Sequence, residues 1–258
     1  MRKLIFLLAV LFVPHATAAD IKADEVRAAL EKATPEKPAD FSGKDLSDLE
    51  LSKLDFKGAN LSKAKLFGTK LEGANLSKAN LTGANLDAAW LMKANFQGAN
   101  LSNASLFGPV IYPGLEITPA NRPNFSGANF TGARIIARLS QVDLKGANFS
   151  NAQMGVDLKN QPMGQMRNDL SGANLAEANF SGADVNRTVF TYANLKGANF
   201  SNANLFRADL SNADLTGADL TGANLEEADL NGTVLKGVKG LDKVKGWDQA
   251  RNKDSVVK

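Results

Sequence analysis

Cysteine is absent from the 258 residues and histidine occurs once, at position 15. Without cysteine there is no disulfide framework, so an oxidising compartment offers the chain nothing and withholds nothing. His15 lies in a leader described below, so the mature chain would lack both residue types. That excludes Ser-His and Cys-His nucleophiles, histidine acid–base work and zinc sites of the usual kind. Proline is unevenly placed: four of the eight fall within residues 107–124, and the two longest regular stretches have none. Strong charge of either sign is also missing. The formal net charge is +3, which gives no case for nucleic acid as a ligand. Beyond the first thirteen residues, no stretch is apolar enough to span a bilayer.

The first residues read MRKLIFLLAVLFVPHATAAD. A basic pair at Arg2 and Lys3, an apolar run from Leu4 to Val13, and Ala16-Thr17-Ala18 have the layout of a secretory signal peptide over residues 1–18. Cleavage after Ala18 would leave a chain of charge about +1 in the periplasm, an equivalent lumen or the medium, with no membrane contact. The competing reading is an uncleaved anchor, for which the run is short.

What is present is a phrase of five. From Ala193 to Leu230 the chain reads ANLKG ANFSN ANLFR ADLSN ADLTG ADLTG ANLEE ADL, and the same phrase begins upstream at Phe41. Ala and Leu two residues apart point to one side of an extended chain, and the Asn or Asp between them to the other. The next Ala lies three residues past the Leu, so a turn in every unit is needed to bring it inward again. Gly, Asn, Ser and Lys tolerate such turns. A period of five drifts around a 3.6-residue spiral and leaves no apolar stripe, which argues against helix.

These units resemble the pentapeptide-repeat proteins, whose consensus is A(D/N)LXX, over most of residues 41–235. The resemblance implies an all-β fold, a right-handed quadrilateral parallel β-helix with four units per coil. Residues twenty apart would then stack, Phe180 over Phe200 over Leu220 inside and Asn75 under Asn95, Asn174 under Asn194, Asn204 under Asn224 outside, at roughly 4.8 Å.

Taken in order, residues 19–40 read as a capping helix and linker, with Val26, Ala29, Leu30 and Ala33 on one face and Pro35 and Pro38 as the stop. The alternative is a partner-binding helix. Inward centres follow every five residues from Phe41 to Leu106. Residues 107–124 read as a loop that must leave the coil wall, because proline cannot donate to a ladder. Centres resume at Phe125, Phe130 and Ile135, slip by one residue, and continue at Leu144, Phe149 and Met154. A second loop spans 155–169, and a final run goes from Leu170 to Leu235. Residues 237–258 read as a short helical cap on Leu241, Val244 and Trp247, followed by a frayed end from Asn252.

Charge is distributed unevenly along the repeat. Residues 170–235 carry three basic and eight acidic side chains, and residues 236–258 carry seven basic and three acidic. Either the basic tail packs over the acidic coils or those coils receive a basic partner; a plain solvated surface is the third option.

The carboxylates Asp184, Asp209, Asp214, Asp219 and Asp229 all occupy the outward position on open walls, without the facing pair and raised pKa that a glycosidase needs. No cofactor or metal is implied. The expected function is a non-enzymatic, exported scaffold that binds an unknown protein through its loops. Candidate contact residues are Val110, Ile111, Tyr112, Leu115 and Ile117 in the first loop and Met163 and Met166 in the second, unless these pack back on the rod. A coil end could also pair two copies as a homodimer. Two other functions compete. Some members of the family mimic duplex DNA and bind DNA gyrase, which the leader and the near-neutral charge argue against. A carboxylate-dependent enzyme is the other.

Overall fold

In the computed structural model, residues 19–112, 118–156 and 167–258 are described. The leader over residues 1–18 therefore lies outside the described residues, as do Leu115, Ile117, Met163 and Met166. Among the described residues no helix is long and apolar enough to cross a membrane.

The chain forms a parallel β-solenoid. Asp40 pairs with Asn60, Asp45 with Lys65, Glu50 with Lys70 and Asp55 with Asn75, each partner twenty residues on. Four pentapeptides thus complete a turn, and four parallel ladders run the length of the molecule. They are called here the first to the fourth, in the order of those four residues.

One unit shows why the phrase folds this way. The Phe180 N–H donates to the Asn199 carbonyl at 2.6 Å, and the Asn199 N–H donates to the Ala178 carbonyl at 2.9 Å. Within the unit, the Ala183 N–H closes a turn on the Phe180 carbonyl at 3.0 Å. The backbone is therefore satisfied by its neighbours above and below, as any buried wall requires.

The Ala and Leu or Phe positions are buried throughout. Under the first ladder the rings of Phe130, Phe149, Phe180 and Phe200 stack with centroids 4.9, 4.8 and 4.8 Å apart and nearly parallel planes. Strand spacing and ring spacing coincide, so each ring packs without shifting the ladder. The expected outer stacks form as well: Asn95 donates to Asn75 at 3.3 Å, Asn194 to Asn174 at 3.1 Å and Asn224 to Asn204 at 3.3 Å.

Helix α1 (Ala23–Glu31) brings Val26 fully into the core, with Ala29, Leu30 and Ala33 partly buried against it. The Glu25 carboxylate accepts the Lys22 N–H at 3.0 Å and so satisfies one free donor of the first turn.

Three parts differ from the sequence-based expectation. First, the coil does not end at Leu106. Val110 pairs with Trp90 and Ile111 is 2 % exposed, so Ile111 is a column residue and the excursion begins at Tyr112. Pro109 is tolerated because it occupies the Ala position. There the N–H makes only the turn bond, as in Ala89 to Leu86, while the ladder donor is the next residue, Val110 to Ala89 at 2.8 Å.

Second, the slip after Ile135 is a four-residue step to Leu139, which is buried. Strand β1 (Ser105–Phe107) pairs there with β2 (Arg134–Ile136), straightening the turn. The fully buried side chain of Asn168 fills the shortfall: it accepts from the Ala137 N–H at 2.8 Å and donates to the carbonyls of Ile135 and Met154 at 2.8 and 2.6 Å.

Third, the C-terminal segment is neither helical cap nor frayed end. Lys239, Lys245, Arg251 and Val257 pair with Asp219, Asn224, Asp229 and Val234, so the chain makes one more circuit in steps of six. Short 3₁₀ turns at Leu241–Lys243, Trp247–Gln249 and Lys253–Ser255 absorb the extra residue. Gly246 is required: its φ is +71°, and a Cβ would lie 2.6 Å from the Glu226 backbone. Leu241, Val244 and Trp247 still pack partly against the column. The basic tail therefore lies over the acidic coils, with Arg251 3.8 Å from Asp229.

Candidate functional site

The four ladders share one backbone plan and differ in what they present. The first ladder holds Asn60, Asn80, Asn100, Asn129, Asn148, Asn179 and Asn199 between Asp40 and Asp219. Asn suits this place because it bonds in two directions. The Asn60 Oδ1 accepts the Ser62 N–H at 3.2 Å, while its Nδ2 donates to Asp40 below at 3.0 Å. The fourth ladder is similar, with Asn75, Asn95, Asn124, Asn174 and Asn194.

The third ladder has no Asn. It carries Glu50, Lys70, Trp90 and Val110, then Arg138, Asp169, Val189, Asp209, Asp229 and Arg251. Some of its acids still accept from their own turn, as Asp209 does from the Ser211 N–H at 3.0 Å. The amide stacking that joins coil to coil on the first ladder is missing.

The outward aromatic side chains gather on the same side. Trp90 is 42 % exposed on the third ladder itself. Phe67 (49 % exposed), Phe107 and Phe206 occupy the turns that enter it from the second ladder. Tyr112 and Tyr192 (71 % exposed) occupy the turns that leave it. Both insertions open at these two edges, one between Ile111 and Asn124, the other between Met154 and Asp169.

Of the candidates taken from the sequence, three lie within the described residues. Ile111 is interior and cannot meet a partner. Val110 is half-buried beside Trp90, and Tyr112 packs back on the rod, its hydroxyl donating to the Ser140 carbonyl. Burial pushes the Tyr112 pKa up to about 12, against the pull of the Arg122 charge. Arg122, from the same excursion, donates to the Gln141 side chain. Nearby, burial pushes Asp169 upward, but the Ser171 hydroxyl and N–H, the Ser140 hydroxyl and the Arg138 charge outweigh it and hold the carboxyl below its usual range.

The sequence reading missed the face as a whole. Its signal was available: every fourth unit from Glu50 lacks Asn, which appears only when the repeat is read in twenties. Chemically the face offers apolar rings among charges of both signs. Among the described residues no three His, Cys, Asp or Glu side chains are grouped to hold a metal ion.

Comparison with known proteins agrees on the fold family. No functionally curated protein matches the chain in sequence. The solved structure of HetL, a pentapeptide repeat protein involved in heterocyst differentiation regulation from the cyanobacterium Nostoc sp. strain PCC 7120, is 28 % identical. That match covers 83 % of this chain and 86 % of HetL, with a TM-score of 0.41. Full-length QnrB1, a plasmid-mediated fluoroquinolone resistance protein, is 20 % identical over 81 % of this chain and 92 % of its own, with a TM-score of 0.38. A pentapeptide repeat protein from the Arabidopsis thaliana thylakoid lumen is 23 % identical over 68 % of this chain and 77 % of its own, with a TM-score of 0.20. The family model for pentapeptide repeats matches in eight copies, over residues 39–68, 59–98, 69–108, 169–205 and 198–237. With ladders paired twenty residues apart and matching copies over more than half its length, the chain belongs to the pentapeptide-repeat family.

Proposed function

We propose that this chain is a non-enzymatic, exported protein-binding solenoid, and that its partner docks on the face of the third ladder. One observation carries the reading: the ladder without Asn is also the one bordered by the outward aromatic residues and both insertions. Side chains that give up coil-to-coil bonding there, such as Trp90, contribute to recognition instead. The winding is right-handed and four-sided, with α1 as a cap over one end. The points where the insertions leave and rejoin the coil, between Ile111 and Asn124 and between Met154 and Asp169, lie at its two edges. At the other end Val257 is 52 % exposed, and a second copy would pair there.

The absence of histidine and cysteine after residue 18 supports a role without catalysis. So does the direction of every shifted Asp and Glu among the described residues, all lowered. A carboxylic acid that donates a proton needs the opposite shift. The DNA-mimic role gains nothing from the electrostatics, since Lys239, Lys245 and Arg251 lie over the acidic coils.

Differential capture tests the reading. The wild type and a Phe67→Ser/Trp90→Ser variant, both verified as folded, are used as bait against the contents of the compartment in which the protein resides. A partner held by the wild type and lost at least about tenfold by the variant is expected, as for removal of central aromatic contacts. Equal retention by both would reject the third ladder as the docking face.

A further inference from the structure

We propose that the turn between the second and third ladders contains an oxyanion-binding site built from Arg167, Arg187 and Arg207. Arg187 and Arg207 hold the same place in successive coils. The Arg187 N–H donates to the Phe206 carbonyl at 2.8 Å, and the Arg207 N–H to the Glu226 carbonyl at 3.0 Å. Their side chains therefore rise from points about one strand spacing apart. Arg167 comes from the segment that returns to Asp169. Together with Val156, these three arginines line a concavity of about 170 Å³.

Three guanidiniums around one small hollow repel one another, and like charges stacked on neighbouring strands are destabilising. Glu227 relieves part of this. It takes Arg207 in a two-point pair, Nε to Oε2 at 2.7 Å and Nη2 to Oε1 at 3.0 Å. Among the described residues it is the one carboxylate in an ion pair with any of the three. Among the described residues, the three lining arginines and Glu227 together carry an excess of two positive charges.

Arg207 also lies over the Phe206 ring, with its central carbon 4.9 Å from the centroid, which fixes the plane of its fork. Planar forks of this kind match carboxylate and phosphate oxygens in pairs. The size of the hollow suits the charged end of a ligand and not a ring system. The ligand group is thus an oxyanion, either the carboxylate of a peptide or a phosphate. The site does not depend on the third ladder as a docking face, because a free anion would fill it with no partner present.

The test titrates the full chain with inorganic phosphate and, separately, with acetate, at constant ionic strength set with chloride. Arginine Nε–H resonances and the thermal midpoint are read together. Saturable binding of at least one anion is expected, weakened at least about tenfold in Arg187→Gln and in Arg167→Gln, the loss that follows from removing a charge-assisted pair. Arg187→Lys should weaken it too, since it keeps the charge and loses the fork. Arg134→Gln, which removes the same charge from the second ladder, should leave binding unchanged. Preference for phosphate or for acetate identifies the source. Should Arg187→Gln not fold, Arg167→Gln carries the test, because Arg167 lies outside the ladders. Responses that never saturate, or that are equal in Arg167→Gln and the wild type, would overturn the proposal.

Discussion

The first and third ladders are built on the same backbone and differ in the outward side chains they carry. On the first, the side chains of Asn60, Asn80, Asn100, Asn129, Asn148 and Asn179 bond from coil to coil and phenyl rings stack beneath them. On the third, Trp90, Val110, Arg138 and Val189 hold the outward position and the insertions open at both edges. Where the backbone already supplies the ladder, the outward side chain is free to vary: the second ladder mixes Asp, Lys, Ser, Arg and Gln with three Asn, and the third holds no Asn at all. A solenoid can carry such differing faces because each coil is held by its neighbours and not by a shared globular core.

The contrast can be broken most severely from within. Phe180→Ala removes the middle of the ring stack and should cost about 3–5 kcal/mol in urea unfolding. Trp90→Ala should cost less than about 1 kcal/mol, as an outward substitution does. Equal losses would mean that the third ladder is structural after all.

Removal of Asn252–Lys258 comes next. It deletes the paired bonds Leu235 to Val257 at 2.7 Å and Val257 to Thr233 at 2.9 Å, together with the Asn252 bond to Asp229 at 2.8 Å. At about 1 kcal/mol for each bond, a loss of about 2–4 kcal/mol is expected. An unchanged melting curve would return this segment to the status of a tail.

Exchange of single ladder residues sharpens the comparison. Asn194→Asp loses the bond to Asn174 and places two carboxylates in register, since Asn194 pairs with Asp214. It should destabilise by about 1–2 kcal/mol at neutral pH. Asp209→Asn on the third ladder separates the stacked acids Asp209 and Asp229 and should be neutral or stabilising by up to about 0.5 kcal/mol.

One further effect appears only in alkali. The folded pKa of Tyr112 is raised to about 12 from 10.0, so folding favours the neutral phenol. Its contribution to stability is complete below pH 10 and is lost as pH rises through about 12. Tyr112→Phe should flatten that part of the stability profile.

Much of this was legible in the residues. The period of five, the inward Ala and Leu or Phe positions and the twenty-residue stacks follow from side-chain direction and turn chemistry, and Phe180 over Phe200 forms as expected. The differences share one cause: a local rule says nothing of which bond a position makes. Proline reads as a stop, yet Pro109 occupies the Ala position, which gives no ladder bond. Leu241, Val244 and Trp247 fall at helical spacing, yet Lys239-Gly240, Lys245-Gly246 and Arg251-Asn252 mark a period of six. Leu139 escapes the period of five because the step to it is four residues. The candidate face was hidden for a different reason: it exists only across coils, where residues twenty apart become neighbours.

A photo-crosslinking side chain introduced at Trp90 on the third ladder, and in a second strain at the exposed Gln97 in the turn from the fourth ladder to the first, tests the assignment of the recognition face most directly. Irradiation in the native compartment followed by mass spectrometry should give a protein adduct from position 90 and none from position 97. Adducts of the same protein from both positions, or from position 97 alone, would contradict it.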